Sequence, residues 1–168
     1  MRSALALTGL ALVLGACTSD SGLSTPPAPA DIPIHAPPPL AGRDWHLTRH
    51  HGQSSLVFGV ADSDDVDLGF TCEDGSGRVT LFRDSALGEP TDFQLIAGGE
   101  IARLDAEGQP SPLTDGLSLM AEADAASPIF QRFADLGWVT LQAHGEPHSL
   151  AAHPGSEERI ARFFAACG

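Results

Sequence analysis

The sequence predicts a mostly β (α+β) fold: an antiparallel β-meander, barrel or sandwich with two short helices, the second of them C-terminal. Three observations predict it. Apolar and polar residues alternate with period two in several short runs, turn residues separate those runs, and two segments have helical spacing. The strand-like runs follow one another too closely for βαβ units, which need a long crossover between parallel strands.

The clearest hairpin is predicted over residues 66–83. Apolar residues occupy every second position from Val66 to Cys72, so they share one face of an extended strand. The sequence Asp-Gly-Ser-Gly at 74–77 is a strong turn signal, and the alternation resumes at Val79 and Leu81. This segment therefore predicts two antiparallel strands with one buried face.

The other strands are predicted from the same alternation, and glycine-rich or acidic segments are predicted to be the turns between them. Strands are expected at 45–49, 55–60, 91–97, 100–104, 117–123, 138–144 and 148–152. Turns or loops are expected at 50–53, 62–65, 98–99, 108–112 and 145–147.

Two helices are predicted from their end signals. Ser127 before Pro128 predicts an N-cap and a proline at the first helical position, and Gly137 predicts the end of that helix. Ser156 predicts the N-cap of the last helix, which has two glutamates in its first turn, where the helix dipole favours anions. The apolar face of this last helix contains Ile160, Phe163, Phe164 and Cys167.

The N-terminus contains a short apolar run from Ala4 to Val13 behind a single positive charge. A membrane-spanning helix needs roughly 20 apolar residues, so this run has the length of a secretory signal instead. The sequence Leu14-Gly15-Ala16-Cys17 that follows resembles the lipobox of bacterial lipoproteins. The alternative is a buried N-terminal helix that ends in a free cysteine.

The lipobox resemblance implies that residues 1–16 are a signal peptide and that Cys17 becomes the lipidated N-terminus, with a thioether-linked diacylglycerol and an N-acyl chain. The acyl chains on Cys17 would attach the protein to a lipid bilayer. Apart from this covalent lipid, no cofactor is expected. Thr18, rather than aspartate, follows the cysteine, which implies sorting to the outer membrane of a two-membrane bacterium. The domain would then face the periplasm.

Beyond the lipobox the chain divides into a tether and one domain. Residues 17–42 are rich in proline, serine and alanine, and such a segment favours an extended spacer over a packed core. Residues 43–168 are predicted to form a single β-rich domain, which is long enough to bury one hydrophobic core.

The charge balance excludes several partners and chemistries. The chain has 22 acidic and nine basic residues, a formal net charge of −13, and every basic residue is arginine. Nucleic acid is excluded as a partner because phosphate neutralisation needs clustered basic residues. Anionic lipid headgroups would also repel this surface, so attachment must come from Cys17. The absence of lysine excludes Schiff-base and Ser–Lys catalysis.

Two cysteines remain once Cys17 is lipidated, and both lie on predicted core-facing sides. In an oxidising envelope, Cys72 and Cys167 are expected to form a disulfide between the central hairpin and the last helix. The alternative is a pair of buried free thiols.

No metal site and no catalytic residue is assigned. Among the seven histidines, the candidate metal ligands are His144, His148 and His153, because a tight turn at 145–147 would place His144 opposite His148. Zinc would need three or four converging ligands, and no His-Glu-x-x-His or Cys-x-x-Cys occurs. The acidic segment 62–67 resembles a calcium loop, but Val66 lies where a ligand is needed. It is interpreted as a solvated loop.

Several short motifs together resemble small envelope lipoproteins of Gram-negative bacteria, a group whose motifs imply no particular chemistry. They are Trp45, the run Phe70-Thr71-Cys72, the Gly-Ser-Gly turn and the terminal Phe-Phe-Ala-Ala-Cys. The hairpin is also similar to that of membrane-bound inhibitors of C-type lysozyme, which present a Ser-Gly loop like Ser76-Gly77. That family adds Lys and Tyr near the loop, and neither residue type occurs here.

The sequence therefore predicts a lipid-anchored, non-catalytic binding or structural module whose partner is an envelope protein or a small ligand. One alternative is an inhibitor of a cationic periplasmic enzyme such as lysozyme. A second alternative is a metal-binding or hydrolytic domain.

Overall fold

The structure is a computed structural model that describes residues 35–86, 92–143 and 146–168. The predicted signal peptide, Cys17 and the tether up to residue 34 lie outside the described residues, as do residues 87–91 and His144 with Gly145.

The described residues form ten strands and two helices. The strands are β1 Asp44–His50, β2 Gln53–Gly59, β3 Val66–Glu73, β4 Arg78–Ser85, β5 Asp92–Ala97, β6 Glu100–Asp105, β7 Glu107–Pro110, β8 Leu117–Asp124, β9 Trp138–Ala143 and β10 Glu146–Ala151. The helices are α1 Pro128–Leu136 and α2 Glu157–Cys167.

The strands are arranged in two antiparallel sheets, which confirms the predicted fold class. A six-stranded sheet has the order β1-β2-β3-β4-β8-β7, and a four-stranded sheet has the order β10-β9-β5-β6. The sheets approach each other at β1 and β10 and again at β6 and β8. Only Ala106 separates β6 of the small sheet from β7 of the large one, so the chain crosses from one layer to the other at this corner.

Aromatic side chains from both sheets and both helices fill the core. The Trp45 ring lies 5.1 Å from the Phe58 ring and 4.9 Å from the Phe133 ring of α1, measured between centroids. Its indole Nε1 donates a hydrogen bond of 3.3 Å to the carbonyl of Leu150 in the other sheet. Trp45 thus joins the two sheets and α1, and the buried indole N–H has the partner that it needs.

The two helices begin and end where the sequence predicts, but the side-chain capping bonds expected at their first residues are absent. Gly137 has φ 74° at the end of α1, a left-handed conformation that glycine adopts without a steric penalty. Ser127 and Ser156 occupy the predicted N-cap positions, but neither makes a side-chain capping bond. For Ser156 the reason is a different partner. Its hydroxyl donates to Asp44 instead. Neither α1 nor α2 has the length and apolar content that a membrane-spanning helix requires.

Two predicted turns are wrong because they contain strand residues. The segment 107–110 forms β7, which pairs with β8, although its glycine and proline suggested a loop. Glu146 and Pro147, predicted as a turn, belong to β10 and pair with Ala143 and Gln142. Both strands lie at sheet edges, where proline is tolerated because one side of the strand needs no hydrogen bonds.

The C-terminal end of α2 is held against the β3–β4 hairpin. A disulfide joins Cys72 to Cys167, with Cα atoms 5.7 Å apart. The amides of Gly75 and Gly77 each donate a hydrogen bond of 2.7 Å to the last helical carbonyls, those of Ala166 and Cys167. The hairpin turn therefore satisfies carbonyl groups that a helix end otherwise leaves without partners.

Candidate functional site

The outer face of the six-stranded sheet, which points away from the core, carries a row of hydroxyl side chains. The strand register pairs Thr48 with Ser55, Ser55 with Thr71, Thr71 with Thr80, and Thr80 with Glu122. Because paired residues lie on the same face of a sheet, these five side chains form a line across β1, β2, β3, β4 and β8. We call it the hydroxyl row.

An apolar row lies beside the hydroxyl row. It consists of Val57, Gly69, Phe82 and Met120, which are again successive register partners. A Cβ atom on Gly69 would collide with the Phe82 ring, so the ring lies directly over the glycine. The Met120 side chain is 46% exposed. This row therefore presents apolar surface to solvent next to the hydroxyls.

Two adjoining cavities follow these rows. One, of about 580 Å³, lies on the hydroxyl row and is flanked by His50, Gln53 and Arg78. The other, of about 450 Å³, lies on the apolar row. Both are lined by Thr71 and Thr80, so they form one continuous groove across the sheet. We refer to the two parts as the hydroxyl cavity and the apolar cavity.

Carboxylates predominate among the charged groups of the groove. In the hydroxyl cavity, Arg78 forms an ion pair of 3.0 Å with Glu122. In the apolar cavity, Asp84 accepts a hydrogen bond of 2.7 Å from the Ser118 hydroxyl, and Asp64 is exposed. Arg83 also lines this cavity, but it is only 7% exposed and its guanidinium lies 5.9 Å from the Phe93 ring centroid, between the sheets.

The chemistry of the groove is that of a binding surface. Hydroxyls and the Gln53 amide can donate and accept hydrogen bonds, while the Phe82 and Met120 side chains provide apolar contact. A concave apolar surface with a few polar groups that fix orientation is the usual composition of a ligand site. The alternation in β2, β3, β4 and β8 predicted which side chains face outward, but not that they line up into rows.

The histidines proposed as metal ligands are not brought together in the way the sequence suggested. His148 pairs with Leu141 rather than with position 144, and His144 lies outside the described residues. The His153 ring donates a hydrogen bond of 2.9 Å from Nε2 to the carbonyl of Leu40. No group of three or more His, Cys, Asp or Glu side chains suited to a metal ion occurs in the described parts of the chain.

The acidic loop before β3 is partly neutralised by Arg43. This arginine reaches both Asp65 and Asp67, in each case over 2.6 Å. The hydrogen bond with Asp65 is the main reason why the pKa of the Arg43 guanidinium is raised, and it outweighs the opposing effect of burial. Arg43 therefore engages one carboxylate of the loop and one at the start of β3, whereas Asp64 makes no ion pair among the described residues.

Asp44 forms a second polar centre, which the sequence did not reveal. Its carboxylate accepts hydrogen bonds from the Ser156 hydroxyl at 2.5 Å, the His153 amide at 3.1 Å and Arg159 Nη1 at 3.1 Å. Burial alone would raise the pKa of the Asp44 carboxyl, but the hydrogen bonds and the Arg159 charge together hold it below its ordinary value. All three donors lie more than 100 residues away along the chain, so no local pattern could have identified them.

The groove and the Asp44 centre differ in what they can do. The Asp44 carboxylate is occupied by bonds that join β1 to the start of α2, whereas the groove is open to solvent.

Comparisons of the chain with protein-family models, curated proteins and solved structures found no match, so the groove's own residues are what indicate a function.

Proposed function

We propose that this protein is a lipid-anchored, non-catalytic binding module of a bacterial cell envelope, and that it binds an envelope protein or a small ligand in the outer-face groove. The single observation that carries the proposal is the groove itself. It runs over adjacent hydroxyl and apolar rows that five strands hold in register, so its polar and apolar groups are rigidly placed before any ligand arrives.

The proposed anchor is lipid on Cys17. Two acyl chains or more give stable attachment, since each buried methylene contributes about 0.8 kcal/mol. The Pro-rich segment 17–42 would act as a spacer between this anchor and the domain.

The anchor is tested by metabolic labelling with a radioactive fatty acid in a two-membrane bacterium that expresses the full chain. We expect label on the protein and recovery in the outer-membrane fraction, and we expect neither for Cys17→Ala. A labelled Cys17→Ala chain, or an unlabelled natural chain, would reject lipidation at this cysteine.

Binding in the groove is tested by affinity capture from envelope extracts. Thr71→Trp would fill the floor shared by both cavities, whereas Ile101→Trp places the same bulk on an exposed position of the other sheet. We expect the natural chain and Ile101→Trp to capture the same partner and Thr71→Trp to lose it. Equal capture by all three proteins would place the binding surface elsewhere.

The acidic surface favours a second candidate, an inhibitor of a cationic periplasmic enzyme such as lysozyme. With 22 acidic and nine basic residues, the chain would attract a cationic enzyme most strongly at low salt. The purified protein should then slow C-type lysozyme at low ionic strength and lose this effect as salt is added. Unchanged lysozyme activity at low salt would reject the candidate.

A further inference from the structure

We propose that the apolar cavity binds an arginine or lysine side chain, presented by an extended and partly apolar segment of a partner protein. This inference rests on the proposed binding function and adds the chemical class of the partner. It is argued from the shape, the charges and the extent of the groove.

The floor of the cavity is apolar and partly open to solvent. Val66, Phe82, Leu113 and Met120 line it, and the last two are 67% and 46% exposed. Phe82 is held over Gly69, because a Cβ there would collide with its ring. A ligand in the cavity would therefore contact an aromatic ring and three other apolar side chains, with polar side chains beside them.

Two carboxylates line the same cavity from different elements. Asp64 belongs to the loop between β2 and β3, and Asp84 lies near the end of β4. The Ser118 hydroxyl donates to Oδ1 of Asp84, and in the described residues Oδ2 has no hydrogen-bond donor. Neither carboxylate makes an ion pair among those residues. The one basic residue in the described lining, Arg83, is buried; its guanidinium lies toward the Phe93 ring and donates to the Asp84 carbonyl rather than to either carboxylate. The cavity thus combines apolar side chains with two carboxylates that form no ion pair among the described residues.

Arginine and lysine side chains are complementary to this combination. Their aliphatic stems pack on apolar surface while the charged head reaches a polar rim, and a cation above an aromatic ring gains further stabilisation. An anionic ligand would be repelled by both carboxylates. A purely apolar ligand would leave the carboxylates without any new partner and would partly cut them off from water.

The extent of the groove favours an extended segment over a single small cation. The hydroxyl row spans four inter-strand spacings, about 19 Å, which an extended peptide covers with about six residues. Glu73 and Glu122 line the far part of the groove, where Glu122 is paired with Arg78, so carboxylates occur along its whole length. The overall charge of −13 would also draw a cationic partner toward the protein.

The proposal is tested by fluorescence anisotropy with the purified full-length chain in a neutral detergent. The probe is a labelled peptide of about eight residues in which arginine and valine alternate. A matched peptide carries citrulline, which is nearly isosteric with arginine but uncharged, in place of every arginine. The double variant Asp64→Asn with Asp84→Asn removes both cavity charges, and Glu100→Gln with Asp135→Asn removes the same charge from exposed positions elsewhere.

We expect the arginine peptide to bind the natural chain and the remote double variant within about twofold of each other, and the cavity double variant to bind at least about tenfold more weakly. The citrulline peptide should bind no better than the cavity variant binds the arginine peptide. Circular dichroism of each variant confirms that the fold is retained.

Several results would overturn the inference. If both double variants bind the arginine peptide equally weakly, only the overall charge of the protein matters. If the arginine and citrulline peptides bind equally well, the cavity recognises apolar surface and not a cation. Concentration-dependent self-association that Met120→Glu abolishes would identify a second copy as the occupant. If Thr71→Trp abolishes capture from extracts while the arginine peptide does not bind, the proposed function survives and the cationic partner does not. If Thr71→Trp leaves capture from extracts unchanged and the arginine peptide does not bind, both the proposed function and the cationic partner are rejected.

Discussion

The Ser156 hydroxyl donates a hydrogen bond of 2.5 Å to Oδ2 of Asp44, which joins the start of α2 to the first residue of β1. The other carboxylate oxygen of Asp44 receives the His153 amide, and Arg159 donates both to Oδ2 and to the carbonyl of Trp45. Because Ser156 is used in this contact, it is not available to cap its own helix. A residue with a typical N-cap sequence signature thus stabilises tertiary rather than local structure.

The two helix-start serines provide a matched pair for testing this contact. Ser156→Ala should lower the free energy of unfolding by about 1.5–3 kcal/mol, because it removes a hydrogen bond to a partly buried carboxylate. Ser127→Ala should have little effect, since Ser127 makes no side-chain capping bond. Urea unfolding of the two variants measures the difference. Equal losses would mean that the Asp44 bond adds no stability of its own.

The lowered pKa of Asp44 predicts a loss of stability in acid. A carboxyl whose pKa is lower in the folded state than in the unfolded state adds stability at pH values above its unfolded pKa, and this stability disappears as pH falls through the folded pKa. We expect the stability difference between the natural chain and Asp44→Asn to be constant above about pH 5 and to narrow below the ordinary value of 3.8. Denaturant unfolding from pH 7 to pH 2 tests this, and a difference that grew on acidification would contradict it.

The disulfide should contribute strongly to stability. It connects residues separated by 95 positions, and the chain-entropy model assigns about 4–5 kcal/mol to a closed loop of that size. The double variant Cys72→Ala with Cys167→Ala should show a loss of this order in denaturant unfolding. Alkylation and mass measurement with and without reductant check the bond itself, and free thiols in the unreduced protein would exclude it.

Gly69 and Phe82 should be energetically coupled. Gly69→Ala introduces a Cβ that collides with the Phe82 ring, and we expect a loss of about 1–3 kcal/mol from the forced displacement. In the Phe82→Ala background the same change should cost much less, because the ring is gone. A double-mutant cycle measured by urea unfolding gives the coupling energy. Additive effects of the two changes would show that the ring does not depend on the glycine.

The sequence predicted much of the fold because the signals involved are local. Alternation with period two identified β3, β4 and β8, and proline and glycine identified both ends of α1. The short strand β7 was missed because all four of its residues are exposed, which leaves no buried face to create alternation. Pro147 suggested a turn for a different reason: a proline in an edge strand gives the same local signal as a proline in a loop.

The candidate site was much less predictable. The sequence placed Thr71 and Thr80 on outward faces, but it could not show that four hydroxyl residues line up, because register depends on pairings between distant strands. His148 illustrates the same limit, since one wrong turn boundary changed its partner from His144 to Leu141.

The sequence by itself determined both helices and most of the strands, which of their faces are apolar, and that Cys72 and Cys167 lie on core-facing sides. These properties depend on spacing along the chain. Only the tertiary structure decided that the strands divide into two sheets, that Ser156 binds Asp44, and that the hydroxyl and apolar rows form a groove. The physical reason is that the partner of a side chain is chosen by packing between segments that lie far apart in sequence, and local preferences carry no information about that choice.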